Sequence, residues 1–213
     1  MQSADRLFEQ LDETRLRELA PHGAVRSFPK NAVVVSEGDT TDSLYVILSG
    51  RVKVFVSGDD GKEAVVNTIA AGDYFGELVL DGGPRSASVM TLEPCRFFVI
   101  SHAEVESLLE RNPAFARDLI RKLIGKVRNL TGKVADLALK DVYGRFVRFV
   151  QNNSVEQDGR RIISERLTQH DIAARIGGSR EMVSRIVKDL VEGGYISVDA
   201  KHLTVHRELP AKW

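Results

Sequence analysis

The residues best equipped for chemistry lie in two short stretches. In the first, residues 74–88, Gly76 has no side chain to hold a ligand away from the backbone. A short helix starting beside it would offer free N–H groups to an anion. Arg85 supplies a planar guanidinium suited to phosphate, and Ser86 a neighbouring hydroxyl donor. Glu77 would repel an anion, and makes sense as the acceptor for a sugar hydroxyl. Phosphate and ribose groups on one loop mean a nucleotide, although a polar turn with an incidental arginine fits the composition equally well. In the second stretch Arg180, Glu181, Ser184, Arg185 and Lys188 share the outer face of a helix, with Met182, Val183, Ile186, Val187 and Leu190 facing inward. Arginine can grip guanine N7 and O6 together, and glutamate can accept from cytosine N4. A solvated charged face would carry the same residues.

These side chains need a scaffold, and 213 residues supply one large domain or two modest ones. Hydrophobic content of 43% and charged content of 28% are those of an ordinary globular protein. No apolar run approaches the about eighteen residues of a membrane span, and the polar N-terminus does not resemble a signal peptide. A cytoplasmic protein without membrane attachment is expected. Net charge is zero, but Lys and Arg outnumber Asp and Glu from Arg160 onward. That bias suggests nucleic acid only together with a motif. The single cysteine, Cys95, excludes an internal disulfide and cannot supply an iron–sulfur cluster. Its apolar surroundings predict a buried, inert thiol. None of the five histidines falls in the strand-like region, which removes a cupin-type metalloenzyme for lack of ligands.

Taken in order, residues 5–20 place Leu7, Phe8, Leu11, Leu16 and Leu19 on a short amphipathic helix. From residue 24 to 100, short β-branched runs alternate with glycine and aspartate turns, predicting a small antiparallel jelly roll with Val52, Val54 and Val56 inward. Asn112 and Pro113 open a long helix. Along it Ile120, Leu123, Val127, Leu130, Val134 and Leu137 are spaced alternately three and four apart, the heptad seam of a dimer. Phe115, Leu119 and Ile124 form a second row toward the barrel. A single amphipathic helix packed on its own domain is the alternative. Asp141 caps a further helix through Gln151. Thr168 with Asp171 forms a capping box, and Ser179 caps the next helix after Gly177 and Gly178. Small Ala173, Ala174 and Gly177 let the two helices cross closely, as in a helix-turn-helix, and a final hairpin makes it winged.

Phe75-Gly76-Glu77-Leu78 followed by Pro84-Arg85-Ser86-Ala87-Ser88 resembles the phosphate-binding cassette of cyclic-nucleotide-binding domains. Ser179-Arg180-Glu181 and Arg185 resemble the recognition helix of the same proteins, the cyclic-AMP receptor protein and fumarate–nitrate reduction regulator family of bacterial transcription factors. The resemblance covers nearly the whole chain. It implies an α+β protein of three parts: a jelly-roll sensor (1–110), a dimerisation helix (111–140) and a winged helix-turn-helix (141–213). It assigns Gly76, Glu77, Leu78, Arg85, Ser86 and Ala87 to a cyclic nucleotide effector, cyclic AMP first, with no metal, haem or iron–sulfur cluster. It assigns Ser179, Arg180, Glu181, Ser184 and Arg185 to DNA, with Thr168, Arg166 and Lys188 on phosphates, which position without specifying. Relatives that bind cyclic AMP place two adjacent hydroxyl residues against the base, one from each subunit. Those positions fall here on Leu130 and Thr131. Thr131 fits and Leu130 does not, so the base stays open, as do cyclic di-GMP and a regulator needing no nucleotide. The implied partners are a second copy, a pseudo-palindromic duplex and RNA polymerase. A nucleotide-binding module acting through protein contacts is the rival from another class.

Overall fold

The computed structural model describes residues 12–157, 159–199 and 202–210. Leu7, Phe8 and Leu11 of the expected first helix lie outside that set. The chain divides into two compact units, Met1–Val127 and Arg128–Trp213.

In the first unit, helix α1 (Glu13–Leu19) is capped by Asp12 and buries Leu16. Eight antiparallel strands follow: β1 (Ala24–Phe28), β2 (Val33–Val35), β3 (Ser43–Ser49), β4 (Arg51–Ser57), β5 (Glu63–Ala70), β6 (Tyr74–Phe75), β7 (Ser88–Thr91) and β8 (Cys95–Ser101). They form two four-stranded sheets, ordered β1-β8-β3-β6 and β2-β7-β4-β5, which is the jelly roll expected from the turn spacing. Inward alternation along β4 holds for Val52 and Val54, which meet one core, whereas Val56 is half-buried outside it. Val52 is fully buried, and the register shifts between Val54 and Phe55. β5 carries the extra residue there, Val66, so β4 keeps its phase, and Phe55 is buried under the Lys53 ammonium, 4.5 Å from its ring centre. Cys95 is buried, as its surroundings predict.

Helix α2 (His102–Arg111), not anticipated from the sequence, leads to α3 (Pro113–Leu139). Asn112 caps α3, its side-chain oxygen accepting from the Phe115 N–H at 3.1 Å. Phe115 and Leu119 are buried in the barrel-side core. Leu123 belongs with them and not with the seam: it is half-buried against that core, whereas Ile124 is 48% exposed. Residues 123 and 124 are neighbours on the helix surface, and a strict 3.5-residue repeat drifts relative to 3.6 residues per turn. The exposed apolar row is therefore Ile120, Ile124, Val127, Leu130, Val134 and Leu137.

The second unit is built on one core that includes Tyr143, Phe146, Ile163, Ile176, Val183, Ile186 and Leu203. Helix α4 (Val142–Asn153) is capped by Asp141 and runs two residues past the expected end at Gln151. Strands β9 (Val155–Gln157) and β10 (Arg160–Ile163) follow, then helices α5 (Gln169–Ile176) and α6 (Arg180–Glu192), then β11 (Ile196–Val198) and β12 (Leu203–Val205). The expected hairpin is part of a four-stranded sheet, β11-β12-β10-β9. No described helix is long and apolar enough to cross a membrane.

Candidate functional site: a cassette and a recognition helix

A five-residue 3-10 helix, Glu77–Asp81, carries the first candidate site. Gly76 and Gly82 flank it, both left-handed at φ of 89° and 74°. Only Gly76 is also crowded: a Cβ there would sit 2.7 Å from both the Ser43 carbonyl oxygen and Arg85 Nη1. Beneath it Tyr45 and Phe75 stack at 4.8 Å, and the Phe97 ring meets both edge-on. This aromatic floor fixes β6 and hence the start of the cassette.

The cassette brings Gly76, Glu77 and Arg85 together. Arg85 is buried. Its Nε donates to Thr41 Oγ1 at 2.9 Å, Nη2 to the Ser43 carbonyl at 2.7 Å, and Nη1 to the Gly76 carbonyl at 3.3 Å. Burial lowers its pKa, while the charges of Asp42, Asp39 and Glu77 oppose the fall. Ser86 is exposed and Ala87 half-buried beside it, whereas Leu78 points out of the cassette with 48% exposure.

Glu77 is buried and paired with Lys126 of α3 at 2.8 Å. One turn earlier, Lys122 pairs with Asp73 at 2.8 Å. The two ammonium groups lie 4.4 and 5.4 Å from the centre of the Tyr74 ring. Burial, then the carboxylates Glu77, Asp118 and Asp73, push the Tyr74 phenol well above its usual range, so it stays protonated. Lys122 and Lys126 are not among the residues expected from the sequence. Their signal was a basic pair four residues apart on the side of α3 that carries Phe115, Leu119 and Leu123. Leu130 and Thr131 lie in the second unit, with Leu130 47% exposed.

The second candidate site is α6 and its supports. Thr168 and Asp171 close the capping box on α5, and Gly177 ends that helix at φ 65°. The Thr168 hydroxyl both accepts from the Asp171 N–H and donates to its carboxylate, so it is engaged in the cap. Ser179 caps α6 through the Met182 N–H at 3.2 Å. Val183, Ile186 and Leu190 are buried, which turns Arg180, Glu181, Arg185 and Lys188 to solvent. Ser184 is half-buried at the margin of that face. Met182, expected inward, is 42% exposed, because its position lies on the flank of the buried row and not at its centre. The Arg180 and Arg185 side chains make no hydrogen bond or ion pair among the described residues, while Lys188 lies 3.7 Å from Glu192.

Arg145 holds the turn of this motif from behind. Its guanidinium donates to the carbonyls of Ile176 at 2.6 Å and Gly177 at 3.0 Å, and to that of Lys140 at 2.7 Å. One cation thus satisfies carbonyls at the ends of α5 and α3, where orphan acceptors and negative dipole charge concentrate. Asp136 adds an ion pair to Arg148 at 2.8 Å.

Comparison with known proteins identifies both domains. Residues 25–112 match the cyclic nucleotide-binding domain family, and residues 144–208 the Crp-like helix-turn-helix domain family. A cAMP-activated global transcriptional regulator, CRP, from Pasteurella multocida is 31% identical over 193 residues, covering 87% of this chain and 91% of the relative. A CRP-like cAMP-activated global transcriptional regulator from Mycobacterium tuberculosis is 29% identical over 204 residues, covering 93% and 91%. Among solved structures, the c-di-GMP responsive global regulator CLP of Xanthomonas campestris superimposes with a TM-score of 0.79 at 26% identity, over 90% of this chain and 97% of that one. A CooA mutant from Carboxydothermus hydrogenoformans shares the fold with a TM-score of 0.80 at 19% identity, over 96% and 93%. With its sensor barrel, its helix-turn-helix and relatives matched over nearly their full length, the chain belongs to the cyclic-AMP receptor protein and fumarate–nitrate reduction regulator family of transcriptional regulators.

Proposed function

We propose that the chain is a homodimeric DNA-binding regulator, not an enzyme, whose barrel binds a cyclic nucleotide that changes operator affinity. The observation that carries this reading is the buried pair of opposite charges, Arg85 and Glu77, set beside a left-handed glycine. Arg85 serves the phosphate and Glu77 the ribose. Gly76, Leu78, Ser86 and Ala87 shape the cassette, and Thr131 and Leu130 are the positions that the family resemblance gives to the base, here without the second hydroxyl. The carboxylates of Asp39, Asp42 and Glu77 near Arg85 favour a phosphate group with a single negative charge in the cassette. A cyclic phosphodiester carries one, whereas a terminal phosphate carries about 1.5–2. The cAMP-activated relatives put cyclic AMP first, and the c-di-GMP responsive neighbour makes cyclic di-GMP the next candidate.

The exposed row on α3 would pack against its copy in a second chain, with the sensor (1–110), the seam helix (111–140) and the winged helix-turn-helix (141–213) dividing the work. The two recognition helices would then enter successive major grooves of a pseudo-palindromic site, roughly 34–36 Å apart. Arg180, Glu181 and Arg185 read bases there, Ser179 and Ser184 contact the groove, and Thr168, Arg166 and Lys188 approach phosphates. Contact with RNA polymerase would carry the output, in the cytoplasm. The ligand acts only through a difference in affinity for the two dimer arrangements.

Calorimetric titration with cyclic AMP, cyclic GMP, cyclic di-GMP and linear adenosine monophosphate, paired with a gel-shift assay, tests this reading. Cyclic AMP is expected to bind more tightly than the linear nucleotide and to raise operator affinity. No binding by any of them, with Arg85→Ala leaving DNA affinity untouched, removes the sensor role. Arg180→Ala should cost about 1–3 kcal/mol at one base position; uniform weakening on all sequences would make it a phosphate contact.

A second reading, a regulator that binds DNA without any nucleotide, draws on the same site. Three Arg85 donors already have protein acceptors, and Lys126 already neutralises Glu77. Operator affinity equal with and without every nucleotide would favour it.

A further inference from the structure

Arg85 is carried by one loop and held by another. The 36–42 loop, between β2 and β3, is tied to the cassette by its backbone. The Arg85 N–H donates to the Asp39 carbonyl at 2.8 Å, and the Gly38 N–H to the Arg85 carbonyl at 2.8 Å. The Glu37 N–H donates to Ser88 Oγ at 3.0 Å. The same loop then receives the side chain. Of the three acceptors around the guanidinium, two are carbonyls, Ser43 and Gly76, which no substitution removes. The third is the Thr41 hydroxyl, which accepts from Nε at 2.9 Å.

That choice of donor matters. Nε lies in the chain of the side chain, so an acceptor fixed there sets the direction of the whole guanidinium plane. A guanidinium has five N–H groups. With Nε on Thr41, and one N–H each from Nη1 and Nη2 on the carbonyls, the two that remain sit one on each terminal nitrogen. A pair of that kind is what bidentate recognition of a phosphate uses. A lysine at 85 would have no Nε to anchor.

We propose that Thr41 is a positioning residue for phosphate recognition, orienting Arg85 so that one N–H of each terminal nitrogen serves the nucleotide. The inference rests on the cyclic-nucleotide reading above. Thr41 does not touch the ligand; it acts through Arg85. Its residue is exposed, so substitution does not open the core.

The test is calorimetric affinity for cyclic AMP and cyclic GMP of the full-length wild type and the variants Thr41→Val, Thr41→Ser, Arg85→Lys and Thr41→Val/Arg85→Lys, each with a urea unfolding midpoint. Loss of a hydrogen bond to a charged group should weaken Thr41→Val by about ten- to a hundred-fold. Thr41→Ser restores the acceptor and should stay within about three-fold of wild type. In the Arg85→Lys background the valine should have no further effect. Wild-type affinity in Thr41→Val overturns the proposal, as does a serine variant as weak as the valine one at an unchanged urea midpoint. Failure of the wild type itself to bind either of these two or cyclic di-GMP overturns the cyclic-nucleotide reading first, and this proposal with it. The two failures are thus told apart by the protein in which they occur.

Discussion

The two glycines that flank the 3-10 helix form a matched experiment. Gly76 and Gly82 are both left-handed, and both face the same conformational penalty when replaced by alanine. That penalty is about 1–2 kcal/mol for an L-residue, offset by about 0.4–1 kcal/mol because alanine restricts the unfolded chain. Gly82→Ala should therefore destabilise by about 1 kcal/mol, since a Cβ there meets nothing within 4 Å. Gly76→Ala carries the same strain and a collision besides. Its Cβ would lie 2.7 Å from the Ser43 carbonyl, which belongs to β3, and 2.7 Å from Arg85 Nη1. Relieving such overpacking costs typically about 1–3 kcal/mol. The relief available is displacement of Arg85 from the very acceptors that hold it. Urea unfolding followed by circular dichroism measures the first effect, and the midpoint should fall further for Gly76→Ala with the slope unchanged. Calorimetry measures the second: Gly82→Ala should keep nucleotide affinity and Gly76→Ala lose it. Equal destabilisation by the two alanines would refute the role given to close approach at Gly76.

Arg145→Ala removes three charge-assisted bonds at once and should lower the stability of the helix-turn-helix unit by about 2–4 kcal/mol. Operator affinity in a gel shift should fall with it; full recovery by Arg145→Lys would argue against a planar fork reaching two helix ends. Ile124→Glu should leave the folded monomer intact and dissociate the dimer in sedimentation, whereas Leu123→Glu should destabilise the barrel; the opposite pattern would restore the alternating three-and-four seam. Burial pushes the Cys95 thiol above its ordinary value, so thiolate is scarce at mildly alkaline pH. A thiol reagent should then label the native protein slowly and the denatured protein fast, and rapid native labelling would contradict the buried position.

Much of this was legible because the signals were periodic or were caps. Turn glycines at short spacing announced the jelly roll, and Asp141, Thr168 and Ser179 announced their helices by side-chain chemistry alone. Legibility failed where one residue of phase decides the outcome. The choice between Leu123 and Ile124 depends on how the helix meets the barrel. Met182 sits where two helical faces meet, so pattern alone gave it to the wrong one. In the cassette, Gly76, Glu77 and Arg85 were readable as types. Their partners were not, because Thr41, Ser43 and Lys126 lie far away in sequence and reach the site only through the strand order and the packing of α3.

The uncovered row on α3 has a consequence for how such a regulator behaves at low abundance. Ile120, Ile124, Val127, Leu130, Val134 and Leu137 are each about half exposed or more in the single chain, a contiguous apolar strip of the kind that marks an association surface. If a second chain covers it, association stabilises the folded state by mass action, and the melting temperature rises with protein concentration. Operator occupancy then follows the square of the chain concentration wherever monomer prevails. Dilution alone would silence the protein, even with its ligand present in excess.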